Sequence, residues 1–390
     1  MAHARHIAIA GGGIAGLTAA LALVRRGFAV TILEQADALE ELGAGLQVSP
    51  NAWHVLDGLG LAAPLTAASA APEAVRIRSG RDGTTLTRMP LGRQAESRWG
   101  APYRVIHRAD LQSILAEAVT EAGAELRLGS RIAELSCAPT AVEVTLDDGH
   151  RMGFDALVGA DGLRSRVREL IIGAGAPRLS GKVAWRTTLA ARDLGIELDP
   201  GETGLWLGRD SHLVHYAVRG GEELNIIAVV TSDWQAPGWS APGEPAEIEA
   251  AFKAWPGPAR ELVGAPRSWR RWALADRPPD RRWGDGPVTL VGDAAHPMLP
   301  FLAQGAAMGI EDGFVLAACL RGAPGPAAGF RRYESRRMAR TARVQRAARA
   351  NGDIYHLGGV AARARDMALR LLGAEQLMSR WDWLYGWRPD

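Results

Sequence analysis

Two groups of residues in this chain have types and spacings that can do chemistry. The first is Gly11-x-Gly13-x-x-Gly16, followed after a second apolar run by Glu34. Glycines at this spacing let backbone turn tightly, approach a pyrophosphate and pack a helix closely on a strand. The helix N-terminus then offers oriented N–H groups to the phosphates. Glu34, ending the next strand, would accept from the ribose hydroxyls of an adenosine. The second group lies in 212–218. If this is a strand, its period of two puts His212, Val214 and Tyr216 on one face and Leu213, His215 and Ala217 on the other. An imidazole and a phenol on one face suit proton removal from a bound hydroxyl, because histidine titrates near neutral pH. His215 competes for that role, and strand His and Tyr residues are often purely structural.

Such residues need elements to hold them. Residues 6–10 read as a strand, 11–16 as a turn, 17–26 as an Ala/Leu-rich helix stopped by Gly27, and 28–33 as a second strand. This is a βαβ unit. Residues 108–122 carry apolar side chains at helical spacing, and 154–160 is a continuous buried-strand run ending at Asp161. Between 181 and 230 the pattern changes to strands at 183–190, 204–207, 212–218 and 224–230, separated by Gly208-Arg209-Asp210-Ser211 and Arg219-Gly220-Gly221. That is an antiparallel meander, framed on its far side by Gly- and Pro-rich stretches at 236–244 and 277–279. A parallel-strand signal returns at 288–291 and runs into Gly292-Asp293. The nucleotide-binding domain is therefore expected to be discontinuous, formed by 1–75, 100–175 and 280–350. A sheet domain of 76–99 and 176–279 is inserted in it, and 351–390 is helical.

Composition narrows the class. A chain of 390 residues, 47% hydrophobic and 23% charged, buries a sizeable core and is not a disordered tail, a fibre or a mini-protein. Its two cysteines, Cys137 and Cys319, form no CxxC pair, and no histidine cluster has ligand spacing. A disulfide framework, a structural zinc, any other metal site and a dithiol redox centre are not expected. The formal charge of +2 is nearly balanced. Arg336, Arg340, Arg343 and Arg346 fall three or four apart and read as a solvated helix face, with Glu334 and neighbouring loops as partners. Nucleic acid would call for interleaved aromatics. Arg5 and His6 before the apolar run to Val24 imitate a signal peptide, but Gly11, Gly12, Gly13 and Gly16 interrupt it. No window reaches the roughly 18 uninterrupted apolar residues of a membrane helix. A cytoplasmic protein with no membrane partner is expected.

Further segments separate flavin from nicotinamide. Gly159-Ala160-Asp161-Gly162-Leu163-Arg164-Ser165-Arg166-Val167-Arg168 and Val291-Gly292-Asp293-Ala294-Ala295-His296-Pro297 resemble the DG and GD motifs of the class A flavoprotein monooxygenases, the single-component aromatic hydroxylases. His107-Arg108-Ala109-Asp110-Leu111 is similar to the segment whose arginine contacts the FAD diphosphate or ribose in that family. Residues 302–312 are similar to the helix opening beneath the isoalloxazine. Trp383-Leu384-Tyr385-Gly386-Trp387 resembles the tail of the salicylate-hydroxylase-like branch. The resemblance covers most of the chain, and its motifs occur in order.

It implies an α/β fold with a Rossmann-like FAD-binding domain of the glutathione-reductase βαβ type, an inserted antiparallel β-sheet substrate domain and a helical C-terminus. It also implies tightly bound, non-covalent FAD held by Gly11, Gly13, Ala15, Gly16, Glu34, Arg108, Asp161, Asp293, Gly305 and Ala306. Asp293 would accept from a ribityl hydroxyl, or serve only as a helix cap. The N–H groups of Gly305 and Ala306 would face the pyrimidine edge of the reduced flavin. Asp161 would touch both FAD and nicotinamide clefts, or cap the helix that follows. No second GxGxxG occurs, so NADH or NADPH would visit transiently.

His212 and Tyr216 resemble the pair lining the phenol pocket of hydroxybenzoate and hydroxynicotinate hydroxylases, where the ring hydroxyl is deprotonated. Gln47, in the 43–51 loop, with Trp185, Pro300 and Phe301, would contact substrate, and Arg186 is a candidate partner for a carboxylate. In the hydroxynicotinate branch the position of Gln47 is a histidine, which speaks against that substrate. Residues 297–301 would keep water from the oxygenated flavin. The implied reaction uses NAD(P)H and O2, through a C4a-hydroperoxyflavin, to hydroxylate an activated ring of hydroxybenzoate, salicylate or hydroxynicotinate type. A homodimer is a further expectation. The alternatives are an epoxidase or halogenase on this scaffold, with Lys182 as the available amine, and a non-enzymatic binder that keeps the nucleotide fold.

Overall fold

The computed structural model describes residues 5–39, 45–173, 175–235 and 240–389. Gly43 and Ala44 of the loop before Gln47, and 236–239 of the expected linker, lie outside the described residues.

The apolar runs near the N-terminus and after residue 150 and residue 287 become neighbours in one sheet. Its six strands lie in the order Gly284–Asp285, Val288–Leu290, Ala156–Gly159, His6–Ala10, Ala29–Leu33, Glu125–Arg127. All neighbours are parallel except the first pair. The central strands are apolar throughout and wholly buried at Ile7, Ala8 and Ile9, as a sheet covered on both faces requires. Register then does the positioning. Leu33, Ala10, Gly159 and Leu290 stand side by side, so Glu34, Gly11, Ala160-Asp161 and Val291-Gly292 all emerge from one edge. In open parallel sheets that carboxyl edge is where ligands bind.

The first helix runs Ile14–Val24, three residues earlier than its apolar pattern suggests, so Gly16 sits in its first turn. The helix Gly305–Arg321 lies directly against it. A Cβ at Gly309 would come 2.8 Å from the Ala15 methyl, and one at Gly313 would come 2.7 Å from the Ala19 nitrogen. Glycines four apart thus form a groove that lets two backbones touch.

The second sheet has eight strands, ordered Ser240–Gly243, Trp269–Asp276, Arg178–Ala190, Glu223–Thr231, Ser211–Val218, Glu202–Gly208, Ala74–Ser79, Thr85–Pro90. The expected meander forms its centre. One joint departs from pure antiparallel pairing: Ala74–Ser79 runs parallel to Glu202–Gly208, because the chain enters it from the short strand Ser69–Ala70 of a separate three-stranded sheet and not through a hairpin.

The C-terminal part is helical, and its basic face is solvated only in part: Arg336, Arg343 and Arg346 are exposed, while Arg340 is half-buried. Arg340 donates to both oxygens of Glu311 at 2.7 and 2.8 Å and to the carbonyls of Trp383 and Leu384, while Arg343 covers the Trp383 ring at 3.9 Å. Glu334 is taken by Arg331 and Thr289 instead. The helix Pro326–Tyr355 therefore uses Arg340 and Arg343 to clamp the chain's tail, and Arg346 keeps the expected character of an exposed residue. Arginine suits this because its flat guanidinium stacks on indole and still donates at its edge.

Candidate active site

The glycine turn is locked by sterics. Gly11 has φ +107°, and a Cβ there would lie 2.6 Å from the Ala160 oxygen; a Cβ at Gly16 would lie 2.0 Å from the Gly11 oxygen. Around Gly13 there is open space, and as N-cap of the first helix it supplies no side chain to the first-turn N–H groups. Those donors are left for an anion. Gln112 Nε2 donates to the Gly12 oxygen at 3.0 Å and pins the turn. Glu34 braces it too: Oε2 accepts from Gly12 N at 2.6 Å and Oε1 from Ala36 N at 2.9 Å. A carboxylate has about four acceptor sites, so capacity for a ribose hydroxyl remains. The Ala15 methyl points at Gly292 and Gly309, away from this slot, so only its backbone N–H is on offer to a cofactor.

Asp161 is first of all a cap. Its Oδ1 accepts from Ser165 Oγ at 2.5 Å and its Oδ2 from Val167 N at 3.0 Å, holding the start of Arg166–Ile172. Desolvation raises its pKa. Asp293 follows Gly292 inside the short turn Gly292–Ala294, whose capping residue is Val291. Its side chain and that of Arg108 are both accessible, yet desolvation raises the pKa of one and lowers that of the other, each partly offset by their mutual attraction. Accessible groups that are nevertheless desolvated line a deep recess. The Gly305–Arg321 helix opens there without a side-chain cap, and a Cβ at Gly305 would lie 3.8 Å from Asp293 Oδ1. Ala306 stands in the same first turn. Two uncapped helix starts, a ribityl-type acceptor and a guanidinium in one recess are a donor set that fits FAD.

Beneath the recess lies a buried polar network that sequence reasoning missed. Asp312 accepts from Gly292 N at 2.9 Å and Arg337 Nε at 2.7 Å and shares a 2.5 Å bond with His296 Nε2, which together hold its carboxyl down at about 2. Glu311 accepts from Asn51 Nδ2 at 2.7 Å and from Arg337 and Arg340. Gln304, just before Gly305, donates to Ser49 and accepts from Asn51. Adjacent acids at 311 and 312, beside a glycine-rich helix start, were the available signal.

On the opposite wall the eight-stranded sheet presents one face. His212 and Tyr216 share it, as their spacing predicts. The His212 ring meets Phe301 and Tyr355 edge-on at 5.4 and 5.3 Å, and its Nδ1 lies 2.7 Å from His356 Nε2. Burial, then His356 and Lys182, push its pKa well down. Tyr216 packs on Gly45, where a Cβ would come within 2.4 Å of the ring. Its cross-strand neighbour Asn225 accepts from Gly45 N at 2.7 Å. Burial raises the Tyr216 pKa and Arg186 opposes the rise. Gln47 sits in the strand Gly45–Val48 and accepts from the Tyr103 hydroxyl, a partner with no local sequence signal. Pro300 and Phe301 form a single turn, Phe301 being 5% exposed.

Two expectations change. Trp185 does not face the site: it is packed in the far-side core against Gly243, beneath the Arg271 guanidinium. Strand alternation is the reason, because it sends Ala184 and Arg186 the other way. His215 likewise points to the far face against Gly204, where burial lowers its pKa to about 4. Arg186, the expected carboxylate partner, is on the site's face. It stacks on Trp272 at 5.5 Å, its Nε has no partner, and among the described residues no carboxylate pairs with it. Desolvation depresses its pKa, with Tyr216 and Arg108 acting on it.

Comparison with known proteins agrees with this geometry. A family model described as FAD binding domain matches residues 5–348. The chain is 39% identical over 384 residues to 3-hydroxybenzoate 6-hydroxylase of Polaromonas naphthalenivorans, covering 98% of this chain and 96% of that one. It is 32% identical over 351 residues to 6-hydroxynicotinate 3-monooxygenase of Pseudomonas fluorescens, covering 89% and 91%. The solved structure of Klebsiella pneumoniae HpxO complexed with FAD and uric acid superposes with a TM-score of 0.85 at 25% identity, over 96% of this chain and 95% of that one. Among the described residues no helix is long and apolar enough to cross a membrane. Matched almost from end to end by flavin-dependent hydroxylases, the chain belongs to the FAD-binding-domain family and is an FAD-dependent aromatic monooxygenase.

Proposed function

We propose that this monooxygenase hydroxylates a small aromatic ring bearing both a hydroxyl and a carboxylate, a hydroxybenzoate in the first instance, with NADH or NADPH as reductant. The carrying observation is Arg186: a desolvated guanidinium without a carboxylate partner, on the same sheet face as His212 and Tyr216. A half-buried, desolvated cation of this kind calls for an anion. The two hydroxylases named above point the same way, since hydroxybenzoate and hydroxynicotinate both carry a carboxylate. Gly11, Gly13, Gly16, Glu34, Arg108, Asp293, Gly305 and Ala306 would hold the FAD, with the Ala15 backbone and Asp161 contributing at its edge. When bound, the flavin accepts electrons from NAD(P)H and activates O2.

The protein's own part is orientation and proton control. His212 and Tyr216 are four residues apart on a strand, roughly 13 Å between Cα atoms. They stand at two ends of a pocket and do not share one hydroxyl. His212 takes the phenolic proton, because a phenolate directs its ring carbons toward an electrophilic oxygen far better than a phenol does. Tyr216 and Arg186 hold the carboxylate end, Gln47 orients the ring, and Pro300 and Phe301 exclude water.

The experiment is a substrate comparison. Arg186→Met is expected to raise KM for a hydroxybenzoate roughly 30-fold, the worth of a charge-assisted hydrogen bond of about 2 kcal/mol. It should leave KM for a phenol without a carboxylate nearly untouched. Equal effects on both would overturn the assignment. His212→Asn should slow ring oxygenation roughly 100-fold or more relative to substrate-free flavin reduction; equal slowing of both would remove it as the base. We also infer a homodimer, which a monomer in sedimentation across the micromolar range would contradict.

A further inference from the structure

We propose that His356 positions His212 and receives its proton, so that the two imidazoles act as one base. The observation is geometric. His356, at the C-terminal end of the helix Pro326–Tyr355, places Nε2 2.7 Å from His212 Nδ1 with the rings 5.0 Å apart, and both rings are almost wholly buried. Their link crosses 144 positions of sequence. His212 Nε2 forms no hydrogen bond with the described residues, and it is not among the buried polar atoms left without a partner. The nitrogen turned from His356 is thus the one open to a substrate. This inference rests on the reading of His212 as base and extends it.

A buried imidazole on its own makes a poor base, since taking up a proton puts a charge where water cannot solvate it. A second, neutral imidazole that accepts from Nδ1–H supplies that solvation. Because one hydrogen bond joins the rings, one must donate and the other accept, and charging both would set like charges side by side. The pair therefore takes up a single proton. The substrate O–H bond breaks as N–H forms at His212 Nε2. The Nδ1 proton shifts to His356 Nε2, which leaves the added charge on His356, where Asp210 favours it; the His356 Nδ1–H stays in place, buried and without a partner. No oxidant or reductant is consumed in the transfer.

The charged and titratable surroundings support a pair that starts neutral. Burial is the largest cause of the lowered pKa of both histidines. For His212 the repulsion of a charged His356 comes next, a state the one-proton pair never holds together with a charged His212. Lys182, on the strand Arg178–Ala190, follows and acts on His356 as well, which falls to about 4. Asp210 opposes that fall, and its N–H bonds the His356 oxygen at 3.1 Å. Tyr355 lies edge-on to His212. Arg209 packs on Gly358, and Arg365 donates to the oxygens of Ile354 and Tyr355. Asp353 sits on the same helix, exposed. At neutral pH the pair carries no extra proton and is free to accept one.

The test uses FAD-loaded protein and a hydroxybenzoate. Two quantities are followed against pH: ionisation of the bound phenol, from its absorbance difference, and oxygenation of the ring in a single turnover of pre-reduced enzyme. His356→Phe removes the acceptor, so His212 becomes harder to protonate. The acid limb should move to lower pH, and the plateau should fall roughly 10- to 100-fold. His356→Gln keeps an acceptor for Nδ1–H without a relay, and should recover part of the shift but little of the plateau. Wild-type limb and plateau in a flavin-bound His356 variant would overturn the proposal. If His356→Phe does not retain flavin, His356→Gln alone decides on its plateau. His212→Asn separates the two readings. If it abolishes phenol ionisation while the His356 variants do not alter it, His212 is a base acting alone. If it leaves ionisation intact, the base assignment itself fails.

Discussion

Gly11 holds the turn in a conformation that other residues rarely reach, with φ +107° and the Ala160 carbonyl where a side chain would start. Gly11→Ala is expected to yield protein with little flavin, read as the ratio of flavin to protein absorbance; full flavin content would contradict the steric account. Asp312 makes a different kind of statement. Its folded pKa of about 2 lies below the usual 3.8, so its stabilising contribution is complete above about pH 4 and is lost as pH falls toward 2. That contribution is about 2 kcal/mol. Asp312→Asn should be less stable at pH 7 by a similar amount, and its denaturant midpoint should change less than that of the wild type between pH 4 and 2. Parallel curves would show that the carboxylate does not carry the effect.

Two elements decide whether the residues meet. The Gly305–Arg321 helix reaches the recess only because Gly309 and Gly313 let it lie on Ala15 and Ala19. Gly309→Val should separate the helices, lowering both thermal stability and flavin content. The second element is the tail. Asp382 accepts from Arg98 at 2.6 Å and from Trp99 Nε1 at 2.9 Å, and Tyr385 lies 5.9 Å from the Tyr103 ring, whose hydroxyl donates to Gln47. Asp382→Ala is therefore expected to raise KM for the aromatic substrate while flavin content holds; a loss of flavin with unchanged KM would place the tail's role elsewhere. The glycine spacing at 305, 309 and 313 was readable as a string. The tail's grip on Tyr103 was not, since it joins residues nearly three hundred positions apart and neither side carries a periodic mark.

Across the whole molecule, function depends on a row of strand ends. Leu33, Ala10, Gly159 and Leu290 stand level, and the glycine turn, Asp161 and Asp293 therefore open on one recess beneath the face that carries His212, Tyr216 and Arg186. The sequence determined the elements and a dinucleotide turn by itself, because apolar periodicity and glycine placement are local properties of the chain: a strand needs its own run, and a phosphate turn its own glycines. Flavin over nicotinamide was legible only through the resemblance carried by 159–168 and 291–297. Local alternation even put His212 and Tyr216 on a common face. What alternation could not say is which face meets the cofactor, and so Trp185 and Arg186, adjacent and on opposite faces, were both placed in the pocket. Two of the C-terminal arginines followed the same rule: Arg340 and Arg343 had no visible partner along their helix until Glu311 and Trp383 arrived from elsewhere. Only the tertiary structure decided those partners, along with His356, because a side chain's burial and charge environment are set by what packs against it, and nothing in its own neighbourhood of sequence records that.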